Sequence, residues 1–292
     1  MRRVMRGAYR KCVAGWRRAF GLQSPRHNLS VFPDDIYLVS YPKSGNTWIR
    51  FLVANLVYPE KNPDFSNIDN LVPDPEGMSK RDLDRAPRPR ILKSHLSFDP
   101  RFPKVLYVVR DPRDVVLSYY HFDLKRMAIP NGYPLQEYVT RFVDGQLPDH
   151  DPRYGTWYEN VASWYYARVD DPRFLFISYE SVLSQSLGEI GRIANFLGVP
   201  ADTERLTFAI NQSSAQRMRE LEKKQGHLWG ATRETQLDKP FVRSAKAGGW
   251  KAGLAETAVA EIECKWGALL REMRYELSGC NLVQAGKYAQ TA

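Results

Sequence analysis

The sequence predicts an α/β protein: a three-layer α/β/α arrangement around a central parallel sheet. Three observations carry the expectation. Short apolar, β-branched and aromatic runs alternate with longer stretches of helical periodicity. The run Val105-Leu106-Tyr107-Val108-Val109 is apolar at every position, as in a parallel strand covered by helices on both faces. The strand at 35–40 leads through a short Lys/Ser/Gly loop directly into a helical pattern at 47–56, with Ile49, Leu52, Val53 and Leu56 on one face.

The remaining elements follow in order. Residues 1–27 hold eight basic groups and no acid, whereas the rest of the chain holds 34 basic against 33 acidic groups, so the net charge of +9 is an N-terminal property. Met5, Tyr9, Val13, Trp16 and Phe20 fall on one side of a helix whose other side carries Arg3, Arg6, Arg10, Arg17 and Arg18. This reads as a basic amphipathic helix, whose partner through residues 1–20 is an anionic membrane surface. An organelle-targeting role and simple packing on the remainder are the alternatives. Residues 58–89 are rich in Pro, Asp, Asn and Arg and read as a long surface excursion. Strands are expected at 90–95, 105–109 and 174–177. Helices are expected at 114–121, 135–143, 157–169, 188–197, 203–210, 214–224 and 256–271, with a polar loop at 226–250. No linker divides residues 28–292, which read as one domain.

Composition excludes several classes. No apolar run reaches membrane-spanning length, and no secretory h-region is present. Cys12, Cys264 and Cys280 are too few and scattered for a disulfide framework or a zinc site, so a reducing, cytoplasmic setting is expected, with peripheral membrane contact through the N-terminus. A near-neutral remainder argues against a basic nucleic-acid groove.

The loop Tyr41-Pro42-Lys43-Ser44-Gly45-Asn46-Thr47-Trp48 carries the chemistry. A helix start has unpaired N–H groups and a positive dipole end, and Gly45 lets the backbone approach a ligand closely. The ligand expected is a phosphate or phosphate-like group. The spacing is not that of a Walker A motif, because Lys43 precedes Gly45 and no earlier glycine is in place. Lys93 and His95, two apart on the second predicted strand, share a face and can approach this loop. Arg110 ends the third strand in Arg110-Asp111-Pro112-Arg113-Asp114, with Ser118 on the helix that follows.

This ordered set resembles the cytosolic-type sulfotransferases across residues 35–275. Their 5′-phosphosulfate loop reads Tyr-Pro-Lys-Ser-Gly-Thr-Thr-Trp, and only Asn46 departs from it. Lys93-Ser94-His95 resembles their Lys-Thr-His, the segment from Val108 to Phe122 resembles their 3′-phosphate segment, and Arg243 to Lys251 resembles their Arg-Lys-Gly-x-x-Gly-x-Trp-Lys. The resemblance implies a P-loop-like nucleotide-binding fold and transfer of a sulfuryl group from 3′-phosphoadenosine 5′-phosphosulfate (PAPS) to a hydroxyl or amine. The acceptor implied is a small organic or lipid-like molecule, without a metal and without nucleic acid. It implies that His95 is the general base, and that Lys43 and Lys93 neutralise the transferring group. Ser118 would restrain Lys43 until the acceptor arrives. Lys43, Ser44, Gly45, Asn46, Thr47 and Trp48 would hold the phosphosulfate and adenine, Arg110 and Ser118 the 3′-phosphate, and Tyr179 the adenine. Ser213, Arg243, Ser244 and Ala245 complete the implied donor site. Ser244 and Ala245 replace the family's Lys and Gly, which removes one cation. Asp111, Arg113 and Asp114 read as structural, and Phe98, Tyr119, Phe122 and Trp157 are candidates for an apolar acceptor pocket. The family's dimer motif is not reproduced in Lys251 to Thr257, so the oligomeric state is left open. An ATP-dependent small-molecule kinase and an inactive, membrane-attached nucleotide-binding protein are the competing readings.

Overall fold

A computed structural model describes residues 29–236, 238–243 and 245–278. The expected N-terminal helix and Ser244 lie outside the described residues. The chain lays down β1 (Ile36–Val39), α1 (Asn46–Val57), α2 (Ile68–Leu71), α3 (Lys80–Asp84), β2 (Ile91–Ser94), β3 (Lys104–Val109) and α4 (Pro112–Lys125). There follow α5 (Leu135–Val143), α6 (Trp157–Arg168), β4 (Phe174–Ser178), α7 (Tyr179–Ser184), α8 (Ser186–Leu197) and α9 (Thr203–Gln212). The last are α10 (Ala215–Gln225), α11 (Trp250–Gly253) and α12 (Glu256–Glu272).

All four strands are parallel, in the order β2-β1-β3-β4. Alternating side chains feed two cores. Tyr37, Val39, Val105, Tyr107 and Val109 pack with α4, α5, α6 and α12 on one face. Leu38, Leu106, Val108 and Ile177 pack with α1, α8 and α9 on the other. A strand that is apolar at every position is the only kind that serves both faces. The chain leaves β1 for β2 on one side and returns to β3 on the other. The strand order therefore reverses between β1 and β3, where ligands of open α/β sheets bind at the carboxyl ends of the strands.

The 58–89 segment is more than a surface excursion. It forms α2 and α3 and buries Phe65, Ile68, Leu71, Val72 and Leu83. Arg50 on α1, itself buried, holds it there by donating to Val72 O at 2.6 Å and to Asp69 at 2.6 Å. A second correction concerns the cysteines: Cys264 is disulfide-bonded, and the other two, Cys12 and Cys280, lie outside the described residues. Counting sparse cysteines in the sequence did not anticipate a bond.

Candidate active site

Each strand hands a functional group to the same rim. Lys43 and Gly45 follow β1, His95 follows β2, Arg110 follows β3 and Tyr179 follows β4. A cavity of about 810 Å³ opens there. Of the residues singled out in the sequence, Lys43, Gly45, Asn46, Thr47, Trp48, Lys93, His95, Arg110, Ser118, Tyr179, Ser213, Arg243 and Ala245 all line it. Ser44 is fully buried just behind the loop.

The loop is built for close approach. Lys43 and Gly45 adopt left-handed backbone conformations, with φ of 68° and 94°. A Cβ on Gly45 would stand 2.5 Å from the Tyr179 ring, so only glycine lets loop and ring meet. No side chain caps α1 and no acid sits in its first turn, which leaves the helix N–H groups open to an anion. Asn46 turns away from that role: its Nδ2 donates to Ser40 Oγ at 3.1 Å, back toward β1. Any anion contact at this position belongs to the backbone.

Three buried polar atoms in or beside the loop, Ser44 Oγ, Asn46 Oδ1 and Arg110 Nε, have no hydrogen-bond partner. Arg110 stacks its guanidinium over Tyr179 at 4.2 Å and donates to Lys246 O at 3.1 Å. Its carbonyl accepts the Trp157 indole N–H at 3.0 Å. Trp48 meets Tyr179 edge to face, with ring centroids 5.3 Å apart, and donates to Ser213 O at 2.9 Å. The Ser213 hydroxyl is already engaged, accepting from Asn55 at 3.1 Å. Burial, and then the charge of Arg110, hold the Arg243 guanidinium below its usual pKa.

Lys43 Nζ lies over the Phe122 ring at 3.9 Å and the Phe241 ring at 4.5 Å. Ser118 lines the same cavity, and among the described residues no hydrogen bond joins it to the ammonium. Burial, opposed by Asp123 and reinforced by Arg110, lowers the Lys43 pKa to about 7. His95 Nδ1 sits 2.7 Å from Ser40 O. That contact requires the proton on Nδ1, so a neutral ring leaves Nε2 free to accept one. Burial and the neighbouring Lys93 hold His95 well below its ordinary pKa.

The residues read as structural are so in fact. Asp111 caps α4 and binds Arg113, which reaches Glu263 on α12 at 2.5 Å. Asp114 accepts the N–H groups of Gly248 and Trp250 at 2.7 and 2.9 Å, tying the Arg243 segment to α4. Among the acceptor-pocket candidates, Tyr119 and Phe122 line the cavity. Trp157 is core, stacked on Trp266, and Phe98 is exposed against Trp164. Sequence reading missed Asp74, which pairs with Lys93 Nζ at 2.5 Å. It lies in the aperiodic 58–89 stretch, and nothing local marks it.

A parallel sheet with a phosphate-type loop after β1, Lys93 and His95 at the end of β2 and Arg110 after β3 defines a P-loop-like nucleotide-binding fold. Comparison narrows this. Residues 33–272 match the sulfotransferase domain model. Sulfotransferase 1E1 of Bos taurus is 31% identical over 244 residues, covering 77% of this chain and 80% of the relative. Sulfotransferase 1B1 of Canis lupus familiaris is 29% identical over 260 residues, covering 82% and 86%. Among solved structures, mouse sulfotransferase SULT7A1 complexed with PAP superposes with a TM-score of 0.66 at 22% identity, covering 90% of this chain and 91% of that one. Retinol dehydratase in a complex with retinol and PAP gives a TM-score of 0.67 at 22% identity, covering 84% of each chain. The chain belongs to the sulfotransferase domain family. It is a PAPS-dependent sulfotransferase that moves a sulfuryl group to a small-molecule acceptor.

Proposed function

We propose that PAPS binds with its phosphosulfate on the loop from Lys43 to Trp48, its adenine against Trp48 and Tyr179, and its 3′-phosphate at Arg110 and Ser118, and that His95 removes the acceptor proton. The observation that carries this reading is the convergence of loop, His95, Arg110 and Tyr179 on one cavity with Ser44 Oγ and Arg110 Nε unpartnered. Planar guanidinium groups suit phosphate oxygens through paired, charge-assisted bonds. Bound there, the donor supplies an activated S–O bond, and the residues do the rest. His95 Nε2 takes the proton as the acceptor oxygen or nitrogen bonds to sulfur. Lys43 and Lys93 offset the charge that builds on the sulfuryl and bridging oxygens as that S–O bond breaks. The products are a sulfated acceptor and adenosine 3′,5′-bisphosphate (PAP).

The acceptor is a small organic or lipid-like alcohol or amine. Retinol dehydratase, a fold relative, binds retinol, and here Tyr119, Phe122, Trp229 and Phe241 give the cavity an apolar wall. The basic character of residues 1–20 supports attachment to anionic membrane surfaces.

Calorimetric titration with PAP tests the donor site. Wild-type protein is expected to bind it and gain thermal stability, and Arg110→Ala to lose at least tenfold in affinity. Absence of heat in the wild type, or unchanged affinity in the variant, overturns the assignment.

A further inference from the structure

The cavity wall at the end of β2 holds two carboxylates, Asp69 and Asp74, to which the transfer step assigns no role. Asp74 lies between α2 and α3. Its Oδ2 accepts from Lys93 Nζ at 2.5 Å, and its Oδ1 takes the N–H of Glu76 at 3.1 Å. The main chain adds a bond between the same segments, Lys93 N–H to Pro73 O at 2.8 Å. Glu76 then accepts from Tyr154 Oη at 2.5 Å and from Arg153 at 3.1 Å. The Tyr154 ring stands edge-on to His95, with centroids 5.8 Å apart. The other carboxylate on this wall, Asp69, is paired with Arg50 at 2.6 Å, and Arg233 has Glu234 at 3.5 Å.

The two ends of the cavity therefore differ. On the donor side, Arg110 has Asp114 only at 3.8 Å, and Lys43 and Arg243 make no ion pair among the described residues. On the wall beside His95, Arg50 and Lys93 each face a carboxylate.

We propose that Asp74 is a specificity-determining residue: by neutralising Lys93 beside His95, it balances the acceptor end of the cavity and selects an uncharged alcohol or phenol over an anionic one. The inference rests on the placement of His95 and the donor loop given above. An anionic acceptor entering here gives up its hydration without gaining a free cation, since Lys93 is already spoken for. Burial raises the Asp74 pKa, but Lys93 and Arg50 outweigh it and hold the carboxyl below its ordinary value, so Asp74 is ionised at neutral pH.

The test uses the full chain saturated with PAP, at pH 7. Calorimetry compares a neutral probe, 2-naphthol, with its anionic counterpart, 6-hydroxy-2-naphthoate. Wild type is expected to bind the neutral probe at least tenfold more tightly. D74N leaves Lys93 unpaired and narrows that ratio at least tenfold. The double variant D74N/K93Q removes both charges and restores the preference. K93Q alone leaves Asp74 unpaired and widens the ratio at least tenfold, which keeps the proposal testable should D74N fail to fold. A wild-type ratio near one, an unchanged ratio in D74N or in K93Q, or binding of neither probe overturns the proposal. Failure of wild type to bind PAP at all overturns the donor reading beneath it.

Discussion

At the scale of single residues, two side chains have protonation states set by burial, and both bear on rate. His95 stays neutral because the desolvated ring, next to Lys93, resists a positive charge. A base that is already unprotonated at neutral pH loses no time waiting for the right form, at the cost of a weaker pull on the acceptor proton. His95→Ala is expected to reduce turnover at least a hundredfold, in the range general-base catalysis supplies, while PAP affinity stays near that of the wild type. Steady-state kinetics beside calorimetry separates the two effects. Lys43 is the other case. With a folded pKa of about 7 against an ordinary value of 10.5, it is mostly neutral in the free protein above pH 7. The unfolded chain binds the extra proton between those two values, so this group's contribution to stability rises with pH across that window and is smallest below it. An anion placed on the loop reverses the penalty. PAP binding at pH 8 is expected to take up close to one proton, falling off as pH drops below 7. Titrations in buffers of different ionisation enthalpy measure it, and Lys43→Met should abolish it.

At the scale of elements, the donor site depends on ties between segments distant in sequence. Asp114 on α4 fixes two N–H groups of the Gly248–Trp250 turn and stands 3.8 Å from Arg110. Glu222 on α10 does the same for Phe241 and Val242, at 2.5 and 2.9 Å. Asp114→Ala leaves one buried and one half-buried donor without partners and is expected to destabilise the fold by about 1–3 kcal/mol, visible in a urea melt. PAP affinity should fall with it, because Arg243 and Ala245 line the cavity from the segment it anchors. The same distance in sequence explains what could be read in advance. β1, β3 and β4 were legible because a continuous apolar run bounded by Pro, Arg or Ser has few other uses. α5 was legible to the residue, since Tyr138, Val139, Phe142 and Val143 form an unbroken buried stripe. The short α2, α3 and α11 were not, because four or five residues carry too little periodicity to register. The loop, His95 and Arg110 were legible because each sits next to a strand end. Asp74, the inward turn of Asn46 and the aromatic seat of Lys43 were not, because each is decided by a partner elsewhere in the chain.

At the scale of the whole molecule, charge is segregated. The eight basic groups before residue 28 stand apart from a remainder that is nearly balanced, and among the described residues no helix is long and apolar enough to cross a membrane. An amphipathic basic segment binds lipid partly through charge, at about 1 kcal/mol per cation near an anionic surface. The full chain is expected to sediment with phosphatidylserine vesicles and not with phosphatidylcholine ones. Replacing Arg3, Arg6 and Arg10 by Gln should weaken the association at least tenfold without altering PAP binding.

The parallel sheet carries a further consequence. Every strand points the same way, so the loop from Lys43, His95, Arg110 and Tyr179 all follow strand ends on one rim, and the nucleotide seat proposed above draws on the segments after β1, β3 and β4. The stretch ahead of β2 touches the opposite flank, through Asp74 and Glu76. Substitution in that stretch is therefore expected to change which acceptors bind while PAP affinity, read by calorimetry, stays near that of the wild type.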